Sequence, residues 1–520
     1  MAETNSLLNC RTGNCTEGSN PSLTAGFQDL GPSGPIFVQQ TLFLEPTLIH
    51  HTMKLQQLYT SCLAQGAYYI ESEGEAVVID PLREVEPYLQ RAEQDGARIK
   101  YVIETHFHAD FVSGHLDLAA ATGAKVVFGP EAKPGFEAHI AKDGEVLRFG
   151  KLSLEVLHTP GHTPESTCYL LRDEEGQPHA LFSGDTLFIG DVGRPDLAAG
   201  ATATPQEMAA TLYRSLRSKI MPLPDSVLVY PAHGAGSACG KNMSKETFDT
   251  LGHQKEVNYA LNAQMTEEAF VEELTNGIAA PPAYFPHNVR MNKAGYEALD
   301  LVLARGVQPL GPVQFKTLAA DPTVVILDTR SPSAYGHSHL PTSVFVGLDG
   351  QFAPWVGSIF PDIHQKFLLV VDEGREEEAV TRLARVGYHQ ALGYLQGGVA
   401  AWQQADFEVQ KTRSVAAQDV PGLMAGGEYP ILDARRPGEY QAGHLKQALL
   451  FPLDDVLTAQ PPIEPSQKAL VHCAGGYRSL ILVSLLENKG YTNLVNIEGG
   501  YSALRSVEGL DHVAGTSCSG

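Results

Sequence analysis

Apolar residues along this chain come in short bursts, most of them closed by a polar residue. Ala76-Val77-Val78-Ile79 runs into Asp80, and Tyr101-Val102-Ile103 runs into Glu104. Leu154-Glu155-Val156-Leu157, Ala180-Leu181-Phe182 and Val227-Leu228-Val229-Tyr230 follow a similar habit. Bursts of this length, rich in β-branched and aromatic residues, predict buried strands. Gly114–Thr122 and Pro205–Lys219 carry helical periodicity between them. Strands alternating with helices predict an α/β layer architecture. Residues 240–306 read as helix and loop, with a proline-rich piece at Pro281–Pro286.

Beyond residue 306 the pattern repeats itself. Val324–Arg330 matches Pro430–Arg436, and His339-Leu340 matches His444-Leu445. Gly387-Tyr388 followed by Gly397-Gly398 matches Gly490-Tyr491 followed by Gly499-Gly500. Two copies of one module therefore lie about 100 residues apart. The expected organisation is an irregular extension over 1–52, an α/β domain over 53–260, a helical linker over 261–306, and repeated modules over 307–411 and 412–520, the last with a short C-terminal tail. Thr12–Gly34, rich in Gly, Ser, Asn and Pro, gives the extension its character.

Composition agrees with several domains in 520 residues. The net charge of −23 argues against a nucleic-acid or anionic-membrane surface. No apolar run is long enough to suggest a membrane span. Seven cysteines without a framework spacing point to a reducing, cytoplasmic setting.

Chemistry concentrates just past the strands. Thr105-His106-Phe107-His108-Ala109-Asp110 follows the second burst, and His158-Thr159-Pro160-Gly161-His162 the third. Ser183-Gly184-Asp185 follows the fourth, and Pro231-Ala232-His233-Gly234 the fifth. Strand ends of an α/β sheet converge on one edge, where ligands bind. Imidazoles and carboxylates gathered there suit a divalent first-row metal.

Those four motifs, in that order, resemble the metallo-β-lactamase superfamily over roughly Lys54 to Ala260. The resemblance implies an αββα sandwich with its metal at the upper edge. Two-metal members usually follow the Asp of the first motif with a second His, and here that position is Phe111. His115, five residues after Asp110, is the residue that would have to compensate. One metal is the better reading, and the single-metal members that this resembles are the persulfide dioxygenases, which hold ferrous iron. By motif, the ligands implied are His106, His162 and Asp185, one Fe(II) per chain, although zinc accepts the same atoms. His108, Asp110 and His233 are then expected to orient ligands or move protons, and Arg194 to lie by the substrate carboxylate. Glutathione-type members carry a cysteine where this chain has Val192, which leaves the carrier thiol open. Cys239 reads either as a sulfur-handling group near the site or as a buried thiol.

The second repeated module carries the other reactive feature. Strand Ala469–His472 runs into Cys473-Ala474-Gly475-Gly476-Tyr477-Arg478-Ser479, and a helix is expected over Leu480–Lys489. A cysteine at such a turn faces backbone N–H groups that stabilise a thiolate, a persulfide or a sulfur oxyanion. Arg478 adds a forked cationic donor. The six-residue Cys473–Arg478 loop, with Asp433-Ala434-Arg435 and Glu498-Gly499-Gly500, resembles rhodanese over about Val415–Glu508. In the first copy the loop is two residues shorter and Asp372 follows the strand. A carboxylate carries no sulfane sulfur, so that copy reads as catalytically silent.

The order resembles persulfide dioxygenase–rhodanese fusions of sulfide detoxification. It implies oxidation of a low-molecular-weight persulfide by O2 to sulfite, and sulfur transfer at Cys473 between persulfide and sulfite or thiosulfate. Many relatives of this kind form dimers or tetramers, which leaves a homo-oligomer open. The rival expectation is a zinc thioester hydrolase similar to glyoxalase II with an accessory rhodanese.

Overall fold

The computed structural model describes residues 53–197, 203–278, 280–425 and 429–514. The expected extension over 1–52, the C-terminal tail from 515, and Cys10, Cys15 and Cys518 lie outside the described residues.

Two six-stranded sheets form the first part. One contains β1 (Lys54–Thr60), β2 (Gln65–Ser72), β3 (Glu75–Ile79), β4 (Arg98–Ile103), β5 (Lys125–Phe128) and β6 (His139–Ile140), in that spatial order. The other contains β7 (Val146–Phe149), β8 (Leu152–His158), β9 (Thr167–Arg172), β10 (Pro178–Gly184), β11 (Leu228–Pro231) and β12 (Asp249–Thr250), ordered 12-11-10-9-8-7. Side chains alternate faces along a strand. Tyr68, Ile70, Val77 and Ile79 therefore pack inward against Leu154, Val156, Tyr169 and Phe182 of the facing sheet. Their neighbours Ala67, Tyr69, Ala76 and Val78 meet Tyr88 and Leu118 on outer helices. The far face of the second sheet is covered by Leu212, Leu251 and Phe270. This is the αββα sandwich.

Register places the strand ends together. β3 and β4 run parallel with Ile79 opposite Ile103, so Asp80 and Glu104 emerge side by side. β10 and β11 run parallel with Gly184 opposite Pro231, which brings Asp185 beside the segment carrying His233.

The two repeated modules have matching parallel sheets. The first is ordered β13 (Pro309–Leu310), β17 (Ala391–Leu395), β16 (Lys366–Val370), β14 (Val324–Asp328), β15 (Val344–Phe345). The second is ordered β18 (Arg413–Ala416), β23 (Leu494–Glu498), β22 (Ala469–His472), β19 (Ile431–Asp433), β21 (Ala448–Leu450), with a small extra pair, β20 (Gly443–Leu445) and β24 (His512–Ala514). Tyr477 Oη donates to the Gly347 carbonyl at 2.7 Å, and the Phe345 N–H donates to Ser484 Oγ at 3.1 Å, tying the modules together. The helix after Cys473 spans Tyr477–Asn488, three residues earlier than expected at its start. Gly476, at φ +97°, makes the whole turn itself, so Arg478 already lies in the first helical turn. No helix among the described residues is long and apolar enough to cross a membrane.

Candidate functional site

The metal-motif side chains all lie at the strand ends and all are buried. Asp80, in the left-handed region at φ +50°, turns its carboxylate back onto the next strand end. Its Oδ1 accepts the Thr105 N–H at 2.8 Å, and its Oδ2 accepts the Thr105 hydroxyl at 2.9 Å. With that proton committed, Thr105 Oγ1 accepts from His106 Nδ1 at 3.0 Å, leaving the lone pair on Nε2. His162 Nδ1 donates to the Arg194 carbonyl at 2.7 Å, with the same consequence. Gly184 is required here, because a Cβ would sit 2.7 Å from that of Thr105.

Asp185 Oδ2 lies 3.7 Å from His106 Nε2 and 3.4 Å from His162 Nε2, and no hydrogen bond reaches it. Two imidazole lone pairs thus face an unpartnered, buried carboxylate oxygen. Among the described residues no donor meets that oxygen, and a divalent cation would satisfy it together with both lone pairs. Burial, then the neighbouring His108, holds the His106 pKa well down, so the ring is neutral as a ligand must be. Burial opposes ionisation of Asp185, but His233, whose Nδ1–H meets Oδ1, outweighs it and holds the carboxyl pKa below normal.

A second group, His108, Asp110 and His233, stands beside the first. His233 Nδ1 donates to Asp185 Oδ1 at 2.8 Å, and its Nε2 lies 2.9 Å from Asp110 Oδ2. Burial alone would lower the His233 pKa, yet the two carboxylates raise it well above normal. Phe111 supplies no donor. Its ring is fully buried, 4.4 Å from that of His108, within an apolar cluster that includes Tyr284 and Phe285. His115 does not compensate. It opens the helix His115–Thr122 and turns to Glu104, with Nδ1 3.2 Å from Oε1, and burial lowers its pKa to about 3.

Arg194 sits against this centre through its main chain. Its guanidinium is held by Asp196 at 2.7 Å through both Nε and Nη2, and by the Ala238 carbonyl at 3.2 Å. The expected approach to a substrate carboxylate is thus met by an internal carboxylate, and the residue's visible contact with the centre is its carbonyl. Cys239 is buried near Asp185 and His233. Burial, then Asp110 and Asp185, pushes its thiol pKa well up, so it stays protonated.

A cleft of about 460 Å³ reaches His162, with Phe107, Ala109, Lys133, Val289 and Lys293 in its walls. Val289 and Lys293 come from the helix Phe285–Ala294. Sequence reasoning assigned that stretch to a linker and missed its place at the cleft.

Cys473 ends the central strand of the second module. The Gly476 N–H points at its Sγ at 3.1 Å. The Tyr501 and Ser502 N–H groups take the carbonyls of Cys473 and Ala474 at 2.6 and 2.9 Å, anchoring the loop from outside. This needs Gly500 at φ +54°, since a Cβ there would lie 2.4 Å from the Cys473 carbonyl. Arg478 is not free: Glu439 grips it at 2.6 and 2.7 Å. A pocket of about 240 Å³ over Cys473 is lined by Arg436, Tyr477 and Arg478, and by Gln351 and Trp355 of the first module. In that first module the strand ends at Val370, and Asp372, Glu373 and Gly374 are exposed with no thiol among them. Gly397 and Gly398 nevertheless keep φ of +72° and +58°, close to the +73° and +54° of Gly499 and Gly500.

Sandwich and site together define an α/β domain with a candidate metal centre, joined to two copies of a second α/β module. Residues 62–233 match the metallo-beta-lactamase superfamily model, and residues 312–405 and 416–506 match the rhodanese-like domain. A metallo-beta-lactamase structure from Staphylococcus aureus subsp. aureus COL is similar at 31% identity and TM-score 0.58, covering 66% of this chain and 98% of that one. The chain belongs to the metallo-beta-lactamase superfamily and carries two rhodanese-like domains after that domain. Among curated relatives, the human "Persulfide dioxygenase ETHE1, mitochondrial" is 38% identical over 162 residues, 31% of this chain and 59% of that protein. A "Hydroxyacylglutathione hydrolase" from Polaromonas sp. is 40% identical over 164 residues, 31% of this chain and 57% of that protein. The chain thus spans somewhat less than two thirds of these relatives.

Proposed function

We propose that the chain is a two-site enzyme of sulfide detoxification, with the domain limits expected from the sequence. At the first site a low-molecular-weight thiol persulfide is oxidised: RSSH + O2 + H2O gives RSH + SO3²⁻ + 2H⁺. The sulfane sulfur loses four electrons, and dioxygen takes them. The observation that carries this reading is the unpartnered Asp185 Oδ2 facing two imidazole Nε2 atoms, beside a Phe111 that supplies no second-site nitrogen. The human relative's name points the same way.

His106, His162 and Asp185 would hold the metal. Ferrous iron, when bound, supplies open coordination positions for the persulfide sulfur and dioxygen, and the electron that starts their reaction. Thr105 and the Arg194 carbonyl fix the imidazole tautomers. His233, between Asp110 and Asp185, holds a proton next to the carboxylate. Phe107, Ala109 and Val289 give the cleft an apolar wall, and Lys133 and Lys293 share it with Glu131 and Glu165, so a carrier bearing both charges would find partners of each sign.

At the second site the Cys473 thiolate attacks the sulfane sulfur of RSSH, breaking its S–S bond; the persulfide anion forms on Cys473 and the RSSH proton leaves with RSH. Sulfite then takes that sulfur as thiosulfate and regenerates the Cys473 thiolate; the reverse sequence is open to the same residues. The Gly476 N–H stabilises negative charge on Sγ in either direction.

A zinc thioester hydrolase is the second reading, favoured by the similarity to the hydroxyacylglutathione hydrolase. Metal analysis and an oxygen electrode separate the two. Iron with oxygen uptake on a thiol persulfide, and sulfite as product, is expected. Zinc without uptake overturns the proposal, as does unchanged uptake in His162→Ala.

A further inference from the structure

We infer that Asn292 is a positioning residue of the metal centre, through which the linker helix holds the loop His108–Ser113, while the first rhodanese-like module bears on the same loop at Val112. The inference rests on the metal reading above and is independent of which substrate the metal serves.

That loop has no strand partner for most of its length and is buried throughout. Its backbone polar groups must therefore find partners elsewhere. They find them some 180 positions further along the chain. Asn292, itself 1% exposed, donates from Nδ2 to the His108 carbonyl and to the Phe111 carbonyl, each at 2.8 Å. Its Oδ1 accepts the Ser113 N–H at 2.9 Å. One amide thus fixes three points of a six-residue loop. The Val112 N–H between them donates to the Arg385 carbonyl at 2.7 Å, at the end of the helix Glu376–Arg385 in the silent module. Tyr296 completes the grip: its hydroxyl accepts the Leu116 N–H at 3.1 Å and donates to the Ser113 carbonyl.

The loop matters because Asp110 rides on it. Asp110 lies 2.9 Å from His233 Nε2, and His233 Nδ1 lies 2.8 Å from Asp185 Oδ1. If the loop relaxes, Asp110 withdraws, His233 loses one of its two carboxylates, and Asp185 is free to rotate. The third metal donor then changes its orientation. Asn292 touches neither metal nor substrate and acts only through this chain. The silent module therefore keeps a task without a cysteine: it buttresses the loop from behind.

The test uses the full chain loaded with cobalt(II), whose visible ligand-field bands report donor geometry. Asn292→Asp keeps the volume and the acceptor for Ser113 but sets an oxygen against two carbonyls. Asn292→Ala removes all three bonds, and Tyr296→Phe removes only the hydroxyl. Expected for Asn292→Asp are shifted bands, cobalt loss to a chelator at least tenfold faster, and a fall in kcat for oxygen uptake with KM little changed. Sulfur transfer at Cys473 should stay within twofold, showing that the fold survives. Tyr296→Phe should move the bands and the chelator rate in the same direction, by less. Unchanged bands and chelator rates in both Asn292 variants overturn the proposal. So does a parallel loss of Cys473 transfer in those variants with unchanged bands in Tyr296→Phe. A wild-type chain that takes no cobalt overturns the metal reading as well. One that takes cobalt, yet with iron consumes no oxygen, overturns the persulfide reading alone.

Discussion

Replacing Phe111 by histidine should turn a one-metal site into a two-metal site at a measurable cost in stability. The phenyl ring is fully buried, 4.4 Å from the His108 ring and 6.3 Å from that of His233. His108, Asp110 and His233 already present donor atoms close together, so one added nitrogen would complete a four-donor set. Without metal the substitution loses apolar burial worth about 1.5–3 kcal/mol for a whole ring, of which an imidazole recovers part. It also buries an N–H without a partner, at about 1–3 kcal/mol. The metal-free Phe111→His protein should therefore be about 2–4 kcal/mol less stable than the parent. A metal at a thousand times its Kd returns about 4 kcal/mol, enough to close that gap. Metal content by mass spectrometry should rise from one towards two per chain. Melting temperature should fall in chelator and recover with added zinc. A variant that still holds one metal in excess zinc, or a parent that already holds two, would refute the reasoning.

Cys473→Ser should abolish sulfur transfer to sulfite and leave oxygen uptake intact; comparable loss of both would mean that the sites do not work separately. Glu439→Gln should release Arg478 from its bidentate partner and lower the KM for thiosulfate several-fold in a rhodanese assay, since the guanidinium regains an anion-binding face. Trp355→Ala should raise that KM, because the pocket over Cys473 loses a wall, without altering oxygen uptake. Burial raises the pKa of Glu487 to about 7 from the 4.5 of an ordinary glutamate. The folded state then binds more protons than the unfolded state between those values, so stability should fall as pH rises across that window and level off above it. Glu487→Gln should flatten this decline in denaturant titrations at pH 4.5 and 7.5.

What could be seen in the sequence were features written locally. The strand bursts were visible because burial on both faces demands continuous apolar runs, and the motif residues stood out because each follows such a run. The repeat was visible in matching glycine pairs, and the paired sheets have the same strand order. Contacts across long separations were not visible. Asn292 looks like any amide on a polar helix; only its partners, 179 to 184 residues away, distinguish it. A faint signal existed in Asn288 and Asn292, two small amides one turn apart, both buried. Arg478 looked free to meet an anion because Glu439 lies 39 residues upstream. His115 looked close to Asp110 by spacing, but a helix begins at that point and points the ring towards Glu104.

The glycine pairs behind the two rhodanese loops separate the frame of the loop from its chemistry. A Cβ at Gly397 would lie 2.8 Å from that of Ala401, and one at Gly499 would lie 2.8 Å from that of Ala503. Each first glycine is thus locked by the turn of helix it starts, whether or not a thiol sits in front of it. Packing alone therefore holds this scaffold in both copies, independently of the loop sequence in front of it. The first copy thus keeps the backbone frame of the second without a thiol in front of it, so placing sulfur chemistry there would call for new loop residues and no new scaffold.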